Sequence, residues 1–291
     1  MALVLITGSA GQLGLELQRA PLPDGWRLAA PARDALDLSD VDAIARAIAA
    51  LKPALIINAA AYTAVDRAEA EPEAAFALNR EAPAALARAA SSLGAPLVHV
   101  STDYVFAGDG ARAYREDDAK APLGVYGRSK SEGEDLVLAA QPHAAILRTS
   151  WVFSAHRANF VKTMLRLGET RQEVGVVADQ FGRPTAAADL AGACIALGEK
   201  LLARAPDAAG IFHYANQGDA SWADFAEAVF AGAEKRGRAP VQVNRIGTED
   251  YPTPAKRPAN SRLDTSKIEA IGITPRPWRE ALDECLDELL V

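Results

Sequence analysis

The feature that most constrains this chain is its opening rhythm: a short apolar run, a glycine-rich turn, then a helical stretch, repeated. Leu3–Thr7 reads as a strand, Gln12–Arg19 as a helix, Trp26–Ala30 as a strand and Val41–Ala50 as a helix. Ala54–Ala59 is again a strand, followed by one long helical run over Glu73–Leu93. Pro96–Val100 and Ala144–Thr149 are further strands, with the helical segment Ser129–Ala139 between them. Several of these strands are continuously apolar, as expected when helices cover both faces of a parallel sheet. Strand and helix in alternation predict right-handed βαβ units and a doubly wound α/β fold.

The rhythm loosens after about residue 150. Helices are expected at Asn159–Leu167, Asp189–Ala203, Ser221–Lys235 and Trp278–Leu290, with strands at Glu173–Val177 and Gly210–Ala215. Ser221 and Asp224 are spaced as a helix-capping pair, and so are Ser39 and Asp42. The expected organisation is a cofactor domain over 1–150. A smaller α/β substrate lobe over 151–291 would interleave with the last strands of the sheet.

Composition excludes several classes. The 291 residues hold 31 Lys+Arg against 38 Asp+Glu, a net charge of −7, which argues against a general nucleic-acid binder. No stretch approaches the roughly 20 apolar residues of a membrane span. Cys194 and Cys285 form no disulfide framework, and the four histidines have no metal-ligand spacing. Met1–Ile6 lacks a basic lead-in and reads as a buried strand, not a signal peptide. A reducing, cytoplasmic setting is the expectation.

Gly8-Ser9-Ala10-Gly11-Gln12-Leu13-Gly14 lies between the first strand and the first helix. Glycines there let a pyrophosphate approach the amide groups at a helix start, and Gly14 lets that helix pack on the sheet. The context marks a Rossmann-type dinucleotide site. At the end of the second strand the usual NAD-selecting acid is replaced by Ala30-Pro31-Ala32-Arg33. Arg33 can pair with a 2′-phosphate, favouring NADP(H) over NAD(H), or stand solvated. Asp37 and Leu38 border the adenine in this reading; Asp37 is otherwise a turn residue. Small residues after the third strand, in Asn58-Ala59-Ala60-Ala61-Tyr62-Thr63, leave room for the cofactor over the strand ends.

Tyr126-Gly127-Arg128-Ser129-Lys130 puts a phenol and an ammonium four apart, on one helix face. The cation should draw the phenol pKa down from about 10, making Tyr126 a proton donor to a carbonyl oxygen. Upstream, Ser101-Thr102-Asp103 ends the fourth strand and offers a hydroxyl to the same carbonyl. Arg183 and Arg257 are candidates for gripping a substrate pyrophosphate, with a surface role as the alternative for each. Trp151 is either a substrate platform or a core residue. Asn79 either orders the long helix near the site or caps nothing.

Glycine turn, Ser/Thr and Tyr-x-x-x-Lys in this order resemble the extended short-chain dehydrogenase/reductase family, in its branch of dTDP-sugar ketoreductases. The resemblance continues through Asn58–Asp66, Arg148–Phe153, Asp179–Thr185 and Arg257–Leu263, and so spans nearly the whole chain. It implies reduction of the C4 ketone of dTDP-4-dehydro-β-L-rhamnose. Tyr126 would be the proton donor, Lys130 its electrostatic and ribose-binding partner, and Thr102 would assist at the ketone or tune the tyrosine. Thr102 and Asp103 would contact the sugar nucleotide, and Trp151 would pack on it. Gly11, Gln12 and Leu13 would meet the cofactor pyrophosphate, with Ala61, Tyr62 and Thr63 as a later contact. The family also implies a homodimer, and Mg²⁺ at a glutamate contact for some members, to which Glu16 corresponds.

Two other activities compete. A nucleotide-sugar dehydratase or epimerase of this family commonly needs Asp-Glu after the threonine for acid/base elimination, whereas here Thr102 is followed by Asp103-Tyr104. A non-enzymatic regulator like the regulatory subunits of methionine adenosyltransferase would not require the intact Thr102, Tyr126 and Lys130.

Overall fold

Val4, Leu5 and Ile6 in β1 (Ala2–Thr7) are all shielded from solvent, because helices cover both faces of the strand. In the computed structural model, which describes residues 1–290, the chain continues through α1 (Gln12–Arg19), β2 (Trp26–Ala29), α2 (Val41–Leu51) and β3 (Leu55–Asn58). Short helices α3 (Val65–Ala68) and α4 (Pro72–Phe76) lead through a π-helical turn, Ala77–Glu81, into α5 (Ala82–Leu93). Next come β4 (Leu97–Thr102), α6 (Val125–Ala140) and β5 (Ala144–Thr149). The chain then forms β6 (Val152–Phe153), α7 (Phe160–Gly168), β7 (Glu173–Val177), β8 (Phe181–Gly182) and β9 (Thr185–Ala186). It proceeds through α8 (Ala187–Leu202), β10 (Gly210–His213), β11 (Ala220–Ser221) and α9 (Trp222–Glu234). The last elements are β12 (Gln242–Ile246), α10 (Ser266–Ala270) and α11 (Trp278–Leu290).

Six strands form one parallel sheet in the order β10-β5-β4-β3-β1-β2. The chain leaves β1 towards β2 and returns on the other side to β3, so the topological switch lies between β1 and β3, where doubly wound sheets open a crevice. One face is packed by α1 and α8 through Leu13, Leu17, Leu190 and Leu197. The other is packed by α2 and α5 through Ile44, Ile48 and Leu86. A second core joins α7, α9 and α11 through Val161, Phe225 and Leu286. Although α8 and β10 lie beyond residue 150, they complete the first core and the main sheet.

Three local expectations change. Asp40, not Ser39, caps α2, accepting from the Asp42 and Ala43 amides, while Ser39 donates to Asp37. The run expected as one helix over 73–93 contains the π-helical turn, which places Asn79 out of solvent. The helix expected from Ser129 begins at Val125, so Tyr126 lies in its first turn. At α9 both bonds of the Ser221/Asp224 capping box are present. Strand β12, absent from the sequence reading, pairs in parallel with β7.

Candidate active site

The glycine turn is sterically obligatory at two positions. Gly8 has φ +72°, and a Cβ there would stand 2.6 Å from the Ala60 nitrogen. At Gly14 a Cβ would collide with the Gly8 carbonyl oxygen. These contacts bring the start of α1 against the β1–β3 crevice. Gly11 caps α1 without a side chain, so the first-turn amides are left for a ligand. The cradle, the helix dipole and the small residues Ala59 to Ala61 fit a dinucleotide pyrophosphate.

A cleft of about 680 Å³ runs from this turn across the carboxyl ends of the strands. Gly8, Gly11, Gln12, Leu13, Arg33, Asp37, Leu38, Ala61 and Thr63 line one end, and Thr102, Asp103, Tyr126, Lys130 and Trp151 the other. Arg33 is 79% exposed and only 3.9 Å from Asp37, so its guanidinium is available to a ligand. Asp37 accepts from the Ser39 amide and hydroxyl, which hold its pKa below the usual value.

Tyr62 does not face this cleft. Its hydroxyl donates to Glu71 at 2.5 Å, while its backbone N–H donates to Asn79 Oδ1 at 2.8 Å. Asn79 in turn donates to Ser129 Oγ at 3.0 Å. The π-helical turn thus ties the cofactor loop to the helix that carries Tyr126 and Lys130, which resolves the role left open for Asn79. Gly14 also lies outside the lining, serving packing alone.

At the chemical end, burial pushes the Tyr126 phenol up to about 12, with the Thr102 hydroxyl opposing the rise and Asp103 adding to it. The expected lowering by Lys130 does not occur here, because that ammonium turns away: Nζ donates to the Val100 carbonyl at 2.7 Å. Burial draws Lys130 itself down to about 8, against the pull of Glu134. Thr102 Oγ1 donates to Asp103 Oδ1 at 3.0 Å and accepts from the Tyr104 amide. Asp103 is pushed up to about 6 by burial, against the pull of the Ser261 and Thr102 hydroxyls, and its Oδ2 has no hydrogen-bond partner within 3.5 Å among the described residues. A buried acceptor lining the cleft is suited to a ligand hydroxyl.

The region beyond β5 departs further from expectation. Trp151 has φ +50° and stacks on Trp222 with ring centroids 3.6 Å apart, presenting an aromatic wall to the cleft. Arg183 and Arg257 do not line the cleft. Arg183 donates to Asp219 at 2.8 Å and to the Leu263 carbonyl, whereas Arg257 makes a forked pair with Asp66 at 3.0 and 2.8 Å. Both are occupied, Arg183 in tying loops together and Arg257 in tying its loop to α3. Glu16 is buried beside His156 at 3.6 Å, and among the described residues no group of three or more His, Cys, Asp or Glu is placed to hold a metal. Nothing supports Mg²⁺.

Sequence reading missed Arg157, whose Nε donates to the Ala10 carbonyl at 2.6 Å and which lines the cofactor end. Asn159 and Ser154 both donate to the Gln12 side chain. This loop carries no motif, and only its meeting with the glycine turn reveals it. Among the described residues no helix is long and apolar enough to cross a membrane.

A family model described as the RmlD substrate binding domain matches residues 1–291. A dTDP-4-dehydrorhamnose reductase of Sinorhizobium fredii is 45% identical over 98% of this chain and 97% of its own length. The Escherichia coli K12 protein of that name is 41% identical, again over 98% and 97%. A reductase of this name from Bacillus anthracis, solved in complex with NADP, superposes with a TM-score of 0.92 at 36% identity, covering 99% of both chains. A UDP-glucose 4-epimerase from Thermus thermophilus shares the fold at a TM-score of 0.80 and 21% identity, over 99% of this chain and 98% of its own. This chain belongs to the dTDP-4-dehydrorhamnose reductase family.

Proposed function

We propose that this chain reduces the C4 ketone of dTDP-4-dehydro-β-L-rhamnose to dTDP-β-L-rhamnose, using NADPH in preference to NADH. The observation that carries this reading is the convergence of Thr102, Tyr126 and Lys130, from two separate elements, on one cleft that begins at a dinucleotide cradle. The relatives named as dTDP-4-dehydrorhamnose reductases, and the NADP held by one of them, support it. Arg33, 79% exposed and in only a long ion pair with Asp37, supports the 2′-phosphate form of the cofactor.

The nicotinamide cofactor supplies the hydride when bound, and the chain's own residues do the rest. Amides at the start of α1, with Arg157 beside them, hold the pyrophosphate. Lys130 meets the ribose. Tyr126, kept as a neutral phenol by its burial, holds the proton that the C4 oxygen needs, and Thr102 hydrogen-bonds the same oxygen. Asp103 Oδ2 accepts from a sugar hydroxyl, and Trp151 stacks on the substrate. Two such chains form the homodimer, and the two unpaired, buried cysteines suit a cytoplasmic setting.

The test is NADPH consumption in the presence of dTDP-4-dehydrorhamnose, with identification of the product. Substrate-dependent oxidation yielding dTDP-rhamnose is expected, and its absence would overturn the assignment. Tyr126→Phe should lower kcat by roughly 10²–10⁴-fold; full turnover in that variant would remove Tyr126 as the acid.

A further inference from the structure

Trp151 holds a backbone shape that few bulky residues adopt. Its φ of +50° lies in the left-handed region, and such a residue persists only where its surroundings over-determine it. Residues 150–153 are tied to 183–186 throughout. Ser150 Oγ donates to the Arg183 carbonyl at 3.0 Å, and the Trp151 carbonyl accepts from the Thr185 N–H at 3.1 Å. Val152 and Phe153 then pair in register with Thr185 and Ala186. Backbone held off its usual shape in this way is characteristic of ligand clamps and active sites.

The indole is fixed as firmly as the backbone. Trp222 stacks on it with 3.6 Å between ring centroids and 12° between planes. Phe160 lies against Trp222 at 4.7 Å, so the second core backs the stack. Trp222 is also the first residue of α9, whose start is set by the Ser221/Asp224 capping box. Gly182 fits beside the indole only because it lacks a Cβ, which would stand 2.5 Å from Cε2 and 2.8 Å from Nε1 and Cζ2. Gly182 pairs with Ala220 and Phe181 with Ser221, so β8 and β11 bring the glycine and the second indole to Trp151 together. Of Trp151, Trp222, Phe160 and Gly182, only Trp151 lines the cleft.

We propose that Trp222 and Gly182 are positioning residues for sugar-nucleotide recognition: they hold the Trp151 indole in one orientation and leave a single face of it to the ligand. The stack covers one face of the indole, so a ligand ring can pack only on the other. An orientation fixed by the protein's own contacts costs little rotamer freedom on binding. The segment Asp179–Thr185 then serves the site without a direct contact. Its glycine admits the indole, and its Arg183 and Thr185 backbone fixes the strained residue, although the Arg183 side chain is engaged elsewhere. The proposal deepens the function given above and rests on it for the identity of the ligand.

The test reads the four indole N–H signals of the ¹⁵N-labelled protein, with that of Trp151 identified by its loss in Trp151→Phe. Trp222→Ala and Gly182→Ala disturb the socket through different residues, and each should shift the Trp151 signal while that of Trp26 stays in place. A Trp151 signal unmoved in either folded variant overturns the proposal. In turnover, KM for dTDP-4-dehydrorhamnose should rise about two- to tenfold in Trp222→Ala, the span of an aromatic stacking contact, with kcat and NADPH affinity kept. An unchanged KM counts against the proposal. Trp222→Phe restores a ring to the stack and should return KM close to the wild-type value. In a Trp151→Ala background, where no indole is left to position, Trp222→Ala should add nothing. A rise of the same size there overturns the proposal, because Trp222 would then act by some route other than Trp151. Absence of turnover in the wild type would remove the sugar nucleotide as ligand, and the indole signals would still decide whether the socket holds Trp151.

Discussion

The two halves of this molecule hold their charges in different ways. In the sheet half, Arg148 on β5 and Glu134 on α6 are 1% and 0% exposed, with both carboxylate oxygens bonded by the guanidinium. In the second half, Arg236 beyond α9, itself 13% exposed, reaches Asp283 and Asp287 on α11, whose side chains are 62% and 61% exposed. A buried pair fixes one arrangement because each charge left alone is expensive, whereas an exposed pair exchanges with water at little cost. The rigid pair lies beneath the helix of Tyr126 and Lys130, where position decides chemistry. The loose pairs lie between α9 and α11, away from the main sheet.

The largest expected effect tests the rigid side. Arg148→Met leaves Glu134 buried without its fork and should cost about 3–5 kcal/mol in denaturant unfolding. A loss under about 1 kcal/mol would show that Lys120 and Ser101 suffice for Glu134 and would erase the contrast.

Gly14→Ala comes next. Its Cβ meets backbone, the Gly8 carbonyl, which cannot swing aside as a side chain would. Overpacking of this kind costs about 1–3 kcal/mol, and here the strain falls on the pyrophosphate cradle. NADPH binding by calorimetry should weaken by more than about tenfold, with sugar-nucleotide binding little changed. Equal weakening of both would mean that the two ends of the cleft are not separable.

Trp151→Ala sharpens the contrast from the other side. The indole stacks on Trp222 and lines the cleft, and Gly182 leaves room for it. KM for the sugar nucleotide should rise about tenfold, equivalent to ~1.4 kcal/mol, with cofactor affinity retained. A fall in kcat alone would instead make Trp151 a support for the chemical end.

The same contrast explains what could be read from the sequence. The cofactor cradle is one contiguous segment whose glycines are demanded by contacts within a few residues or at the next strand, so Gly8 to Gly14 disclosed it. Tyr126 and Lys130 were legible because a helix puts residues four apart on one face. Arg183 and Arg257 were misplaced because an arginine in a loop motif reads the same whether it awaits an anion or already holds Asp219 or Asp66. Tyr62 was misplaced because one of its partners, Asn79, lies on a π-helical turn that propensity does not encode. Arg157 carried no signal, since its position depends on α7 docking beside the glycine turn.

The smallest effect is the most discriminating about the lobe. Arg236→Met keeps the aliphatic stem that packs along α9 and removes only the head group. The bonds lost go to the Gly232 and Asp283 carbonyls and to two exposed carboxylates, and water can reach both carboxylates. Exposed pairs are worth about 0–1 kcal/mol each, so the variant should lose about 1 kcal/mol or less in dilute buffer. In 1 M salt, where the screening length is about 3 Å, the difference should shrink further, while the deficit of Arg148→Met persists because its charges are out of reach of ions. Measured unfolding free energies at the two salt concentrations decide the point. A salt-insensitive loss at Arg236 as large as that at Arg148 would mean that α9 and α11 are locked as firmly as the sheet.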